Sequence, residues 1–229
     1  MKRAISDYLT FCREFRKAAY TTGALAPSGR RLASALAEPV RNHSERDYNG
    51  ATRILEVGPG TGAVTRELVR HVRPGDCLDL VEINSRFLDV LQHRFESEPA
   101  FQQVADRTRI FNRPIQEWKP AEDYHFIICG LPFNNFKIGL VKSIFRRFGD
   151  LMAPHGTLVF FEYAWVRNLR LLMATIEERR RVGGVGRVLR RYLNCYEFRC
   201  RTIYANVPPA IVHYLRFNET GKMTPRVAR

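Results

Sequence analysis

Residues 56 to 62 read Glu56-Val57-Gly58-Pro59-Gly60-Thr61-Gly62, and Glu82 stands twenty positions after the last of these glycines. Glycines so spaced let a backbone turn tightly and approach a ligand with no Cβ in the way. An acidic side chain at the end of the following strand accepts hydrogen bonds from both hydroxyls of a ribose. The pair of features implies a cofactor that carries an adenosine. Gly58-x-Gly60-x-x-Ala63 also satisfies the loose dinucleotide fingerprint, so a nicotinamide cofactor and a chance glycine turn are the competing readings. Glu56 argues against a pyrophosphate, which a neighbouring carboxylate repels, and for a cationic ammonium. Gly130-Leu131-Pro132-Phe133 after a later strand, and strand-like runs that close the chain as a hairpin, point the same way. All three features suit S-adenosylmethionine, with S-adenosylhomocysteine as product.

The elements that must hold these residues follow from hydrophobic period. Arg53 to Val57, Cys77 to Ile83, Thr108 to Asn112, His125 to Cys129 and Thr157 to Tyr163 read as buried strands. Helical patterns lie between them, with apolar faces at Val64, Leu68, Val69 and Val72, at Phe87, Leu88, Leu91 and Phe95, and from Gly139 to Met152. Strands alternating with helices predict an α/β fold with a parallel sheet covered on both faces. Phe198 to Val207 and Ile211 to Phe217, joined by Pro208-Pro209, predict an antiparallel hairpin at the sheet's edge, where proline is tolerated. Upstream, Ile5 to Ala19 carries one apolar stripe opposite Arg13, Arg16 and Lys17, which predicts an amphipathic helix. Residues 1–50 therefore separate as a helical lid or membrane-binding segment from a catalytic domain over 51–229.

The chain has 229 residues and is 45% hydrophobic and 26% charged, ordinary for one globular core, so wholesale disorder and a coiled coil are excluded. Its 37 Lys and Arg against 23 Asp and Glu leave a net charge of +14, which calls for an anionic partner, nucleic acid or an anionic membrane surface. No stretch approaches the ~18 apolar residues of a spanning helix, and Asp7, Arg13 and Glu14 interrupt any signal-peptide core. The five cysteines form no framework and read as free, mostly buried thiols of a reducing cytosol. His43, His71, His93, His125, His155 and His213 have no ligand spacing, so no metal site is expected. Between Arg167 and Arg201 stand ten Arg against three Glu. This Arg-rich stretch, set apart as an insert over about 166–192, reads as a solvated face, a contact for lipid phosphates or a contact for RNA backbone.

On these residues the chain resembles the class I methyltransferases. The resemblance implies a Rossmann-like, mostly parallel seven-stranded sheet with the C-terminal antiparallel hairpin. It assigns cofactor binding to Glu56, Gly58, Gly60, Thr61, Gly62, Glu82, Ile83, Ile115 and Gly130. Pro114 stands where such sequences often carry an Asp beside the adenine. Two subfamilies compete for the acceptor. The ribosomal RNA adenine dimethylases carry Asn-Leu-Pro-Tyr after strand four, where the Asn side chain grips the adenine amine; here Gly130 offers none. The bacterial phospholipid N-methyltransferases are similar over about residues 9 to 217. That similarity rests on Thr22-Gly23-Ala24-Leu25-Ala26-Pro27-Ser28, on Gly130-Leu131-Pro132 and on Asn206-Val207-Pro208-Pro209-Ala210. Glu162-Tyr163-Ala164-Trp165 and the Arg-rich stretch depart from that pattern and point to a different amine headgroup, for example an ornithine lipid.

The second resemblance implies methylation of a membrane lipid amine, phosphatidylethanolamine toward phosphatidylcholine, by an enzyme held peripherally at the inner face of the cytoplasmic membrane. Gly130 and Leu131 would present backbone carbonyls to the amine, with Pro132 fixing the turn, and Tyr163 a polar group; strand alternation lets only one of Glu162 and Tyr163 face the site. Tyr20, Arg30, Phe133 and Asn206 are candidate substrate contacts. Phe11 and Phe15 would enter the bilayer while Arg13, Arg16 and Lys17 meet anionic lipid, at roughly 1 kcal/mol for each cation.

Overall fold

The computed structural model describes residues 27–43, 50–164, 176–206 and 208–217. Helix α1 (Pro27–Asn42) precedes β1 (Arg53–Val57), α2 (Thr65–Leu68), β2 (Cys77–Glu82), α3 (Ser85–Ser97), α4 (Pro99–Gln102) and β3 (Thr108–Asn112). Then come β4 (Tyr124–Cys129), α5 (Ile138–Leu151), β5 (Met152–Tyr163), α6 (Ile176–Tyr196), β6 (Glu197–Ile203) and β7 (Ala210–Arg216). The strands form one seven-stranded sheet in the order β3-β2-β1-β4-β5-β7-β6. β1 pairs in parallel with both β2 and β4, so the strand order reverses between β1 and β4. Only β7 runs antiparallel, against β5 on one side and β6 on the other. The expected α/β architecture and its terminal hairpin are therefore present.

Period-two alternation sorts the strand residues onto two cores. Leu55, Val57, Ile127, Cys129, Leu158 and Phe160 face α5 and α6. Ile54, Leu80, Phe126, Ile128, Val159 and Phe161 face the other side, with Leu32, Leu36 and Val40 of α1. α1 lies within the segment set apart as 1–50, yet it packs as part of the catalytic core. Tyr214 donates its hydroxyl to the Ala35 carbonyl at 2.8 Å, and Glu38 accepts from Arg199 at 2.9 Å and Arg201 at 3.2 Å. Burial pushes the Glu38 carboxyl up, but Arg199, Tyr214 and Arg201 outweigh it and hold it below its ordinary value.

The Arg-rich stretch is corrected from residue 176 onward. There the chain is not a surface insert but α6, a 21-residue helix with Val182, Val185, Leu189 and Tyr196 buried against the sheet. The apolar stripe spaced by three and four residues is what drives it into the core; the arginines occupy the remaining faces. The cysteines are corrected too, since of the four described only Cys129 is buried. No helix among the described residues is long and apolar enough to cross a membrane. Phe11, Arg13, Phe15, Arg16, Lys17 and Tyr20 lie outside the described residues.

Candidate active site

The carboxyl ends of β1, β2 and β4 converge where the strand order reverses, the place at which open α/β sheets form a crevice. Two backbone bonds carry the ladder past the strand ends: Gly58 N–H donates to the Val81 carbonyl at 3.0 Å, and Gly130 N–H to the Val57 carbonyl at 2.9 Å. Gly58 has φ +70°, and a Cβ there would lie 2.4 Å from Leu131 Cδ2. At Gly130 a Cβ would lie 2.6 Å from the Gly58 carbonyl oxygen. The absence of a side chain at 130 is thus built into the packing of the two loops, which close on each other backbone to backbone.

Glu82 organises the glycine loop from the next strand. Its Oε2 accepts from Gly60 N–H at 3.1 Å, and its Oε1 from the amides of Ile83 at 2.8 Å and Asn84 at 2.9 Å. Burial raises the Glu82 carboxyl, and those three amides pull the other way. Glu56 is 1% exposed and accepts from the Thr65 hydroxyl at 2.8 Å. No cation pairs with it among the described residues. Burial first, and the Glu82 charge in addition, push its carboxyl up to about 8. A buried carboxyl without a counterion, beside a second one, holds its proton until a cation arrives to pair with the ionised form.

Alongside lies a cavity of about 570 Å³, walled by Val57, Gly58, Val81, Ile83, Ile115 and Leu131 and rimmed by Arg113, Gln116, Glu117 and Lys137. Its apolar walls suit a flat heteroaromatic ring, and Pro114 lines it at the position read as lacking an Asp. These residues fit S-adenosylmethionine: Glu82 for the ribose hydroxyls, the cavity for adenine, Glu56 for the ammonium. Thr61 is exposed in the turn, and Gly62 is buried.

The acceptor side is only partly as expected. No described residue donates to the carbonyls of Gly130 and Leu131, so both remain available to an incoming amine, while Asn135 N–H takes the Pro132 carbonyl at 3.1 Å. Tyr163 ends β5 on the face that also carries Phe161, the two rings 5.2 Å apart edge to face. Burial raises its hydroxyl above the ordinary value, which keeps it protonated. Glu162 projects to the opposite face, where His213 Nε2 lies 3.5 Å from it and His213 Nδ1 lies 2.6 Å from Glu197. Burial lowers the His213 imidazole, but the two carboxylates outweigh it and the net shift is upward.

Two assignments are corrected. Phe133 is 1% exposed and packs with Phe145 at 5.0 Å and Phe160 at 5.6 Å, so it is core and cannot stack on an acceptor. Asn206 donates its Nδ2 to the Pro208 carbonyl at 2.7 Å, which spends the side chain on the β6–β7 turn. Arg30 is exposed on the first turn of α1.

Two residues of the site escaped the sequence reading. Arg181 reaches from α6 to the loop after β4 and donates to the carbonyls of Asn134 at 2.9 Å and Phe136 at 3.4 Å. Asn134 is buried, and its side-chain oxygen has no partner among the described residues. Its place two positions after Pro132 was the available signal; Arg181 had none, being one arginine among ten.

Fold and site together define a class I S-adenosylmethionine-dependent methyltransferase. The family model described as ribosomal RNA adenine dimethylase matches residues 43–155. An ornithine lipid N-methyltransferase of Singulisphaera acidiphila is 28% identical over 163 residues, covering 71% of this chain and 81% of that protein. A ribosomal RNA small subunit methyltransferase A of Dehalococcoides mccartyi is 23% identical and covers 54% of this chain; the chain spans only 39% of its length. Among solved structures, an O-methyltransferase from Bacillus cereus in complex with SAH shares the fold over 91% of both chains, with TM-score 0.59 and 14% identity. The O-methyltransferase TomG from Streptomyces achromogenes, in complex with SAM, covers 84% of this chain with TM-score 0.54 and 17% identity.

Proposed function

We propose that the enzyme transfers methyl groups from S-adenosylmethionine to the primary amine of a membrane lipid headgroup. An ornithine lipid is the first candidate and phosphatidylethanolamine, on its way to phosphatidylcholine, the second. The observation that carries this reading is the match to the ornithine lipid enzyme, which extends over four-fifths of that protein (81%), whereas the RNA relative is matched over 39%. The Gly130 packing supports it, because an RNA adenine amine would meet no side-chain acceptor at that position.

The bound cofactor supplies an electrophilic methyl on a positively charged sulfur. This chain's residues bind, orient and desolvate around it. Glu56 holds the ammonium end, Glu82 fixes the glycine loop and the ribose, and the carbonyls of Gly130 and Leu131 accept hydrogen bonds from the neutral amine and aim its lone pair. Arg181, through the Asn134 and Phe136 carbonyls, keeps that loop in register. The N-terminal segment with Phe11, Phe15, Arg13, Arg16 and Lys17 would bring the enzyme to the inner face of the cytoplasmic membrane. Radiolabelled S-adenosylmethionine incubated with the enzyme and either an aminolipid dispersion or total RNA tests the proposal. Label in the organic phase is the expected result, and chromatography of the product names the headgroup. Label confined to RNA would overturn it.

A further inference from the structure

A second cavity, of about 630 Å³, lies between α5 and α6, away from the cofactor site. α5 is the partition between the two. Gly139, Leu140, Ser143 and Ile144 face the cofactor cavity, whereas Ile138, Lys142 and Arg146, one turn apart from each other, face the second groove. The opposite wall is α6. At one end the helices meet where Gly184 faces Ile138; a Cβ at 184 would lie 2.2 Å from Ile138 Cδ1.

The groove has the chemistry of an amphiphile site. Lys142 and Arg146 on one wall and Arg187 and Arg191 on the other are all exposed, and none makes an ion pair among the described residues. No carboxylate lines the groove. Beneath the cations the floor is apolar, with Val188, Tyr192 and Tyr196. One ring face of each tyrosine is taken by the core, Tyr192 stacking on Phe145 at 4.6 Å and Tyr196 on Phe217 at 5.1 Å.

We propose that this groove binds the phosphate and glycerol region of an anionic glycerophospholipid in a bilayer. The four cations receive the phosphate, and the apolar floor receives the glycerol and upper acyl carbons. Charge complementarity alone would also admit an RNA backbone. The concave apolar floor favours the lipid, because phosphate and ribose would leave that floor without a partner while its water is expelled. The inference rests on the lipid reading above for the expectation that the enzyme meets a bilayer, but its test reads binding and not methyl transfer.

The test is vesicle co-sedimentation of the full chain at about 0.1 M salt, where surface charges more than about 10 Å apart are screened. Vesicles of phosphatidylcholine with a third phosphatidylglycerol are compared with phosphatidylcholine alone. Arg146→Ala/Arg191→Ala removes two groove cations. Arg180→Ala/Arg190→Ala removes the same charge from exposed α6 positions outside the groove. The groove pair is expected to weaken partitioning to the anionic vesicles about thirty-fold, from roughly one tenfold loss per 1.4 kcal/mol and about 1 kcal/mol for each cation. The control pair is expected to change it less than about threefold at that screening. Unchanged S-adenosylhomocysteine affinity in both variants shows that the fold and the cofactor site persist. Equal losses in the two pairs would overturn the proposal, as would a groove pair that loses affinity for RNA while keeping its affinity for vesicles.

Discussion

Glu56 is expected to make cofactor binding proton-linked, with a size set by its burial. Its carboxyl titrates at about 8 in the folded protein, because it is buried with only the Thr65 hydroxyl as donor and the Glu82 charge beside it. If the ammonium of the ligand binds the ionised carboxylate, apparent affinity scales with the ionised fraction. That fraction is about a half at pH 8 and about one in a hundred at pH 6, so the dissociation constant rises about fifty-fold on acidification, equivalent to about 2.3 kcal/mol. At pH 7 each binding event releases about 0.9 proton. S-adenosylhomocysteine is the ligand of choice, since it keeps the ammonium and lacks the reactive sulfonium. Calorimetry from pH 6 to 8 in buffers of different ionisation enthalpy reads both quantities. Glu56→Gln should bind weakly and with little pH dependence. The sign for stability is opposite. A folded value raised above the ordinary 4.5 means that Glu56 favours the folded apo-protein below that value and loses this contribution as pH rises toward 8. Wild-type affinity that stays level from pH 6 to 8, or a fifty-fold slope that survives in Glu56→Gln, would refute the reasoning.

Other predictions follow from the same geometry. Gly130→Asn should not restore an RNA-methylating site but force the Gly58 carbonyl aside, at about 1–3 kcal/mol in thermal unfolding and with weaker S-adenosylhomocysteine binding. Arg181→Met should lower kcat several-fold with cofactor affinity unchanged, because it frees the Asn134 and Phe136 carbonyls and not the glycine loop; equal losses in both would contradict the assignment. Leu189→Ala, at a buried position of α6, should cost about 2–5 kcal/mol in denaturant unfolding, whereas a surface insert would tolerate it.

The glycine loop, its acidic partner and the strand rhythm were legible because each is local. A turn that admits only glycine, a strand five or six residues long and an acidic residue at the next strand's end all leave their mark within thirty residues. α6 was obscured for the converse reason: its apolar stripe of Val182, Val185, Leu189 and Tyr196 is interrupted by arginines that composition reads first. Phe133 shows the limit of residue type. An aromatic after Gly-Leu-Pro is the same side chain whether it stacks on a substrate or fills the core, and only the approach of Phe145 and Phe160 decides for the core.

Chain order and side-chain chemistry were enough to establish the class of fold and its cofactor, and to bring Glu56 and Glu82 to the glycine loop. Strand alternation likewise required Glu162 and Tyr163 to point opposite ways. Which of them met His213 and which packed beside Phe161 depended on the placement of β7 and Phe161 around β5, a long-range arrangement with no local signature. The same holds for the clamp from Arg181 to Asn134 and for the groove between α5 and α6. Each joins side chains some forty to fifty positions apart in the chain, which become neighbours only when the apolar stripes of two helices settle on one face of the sheet.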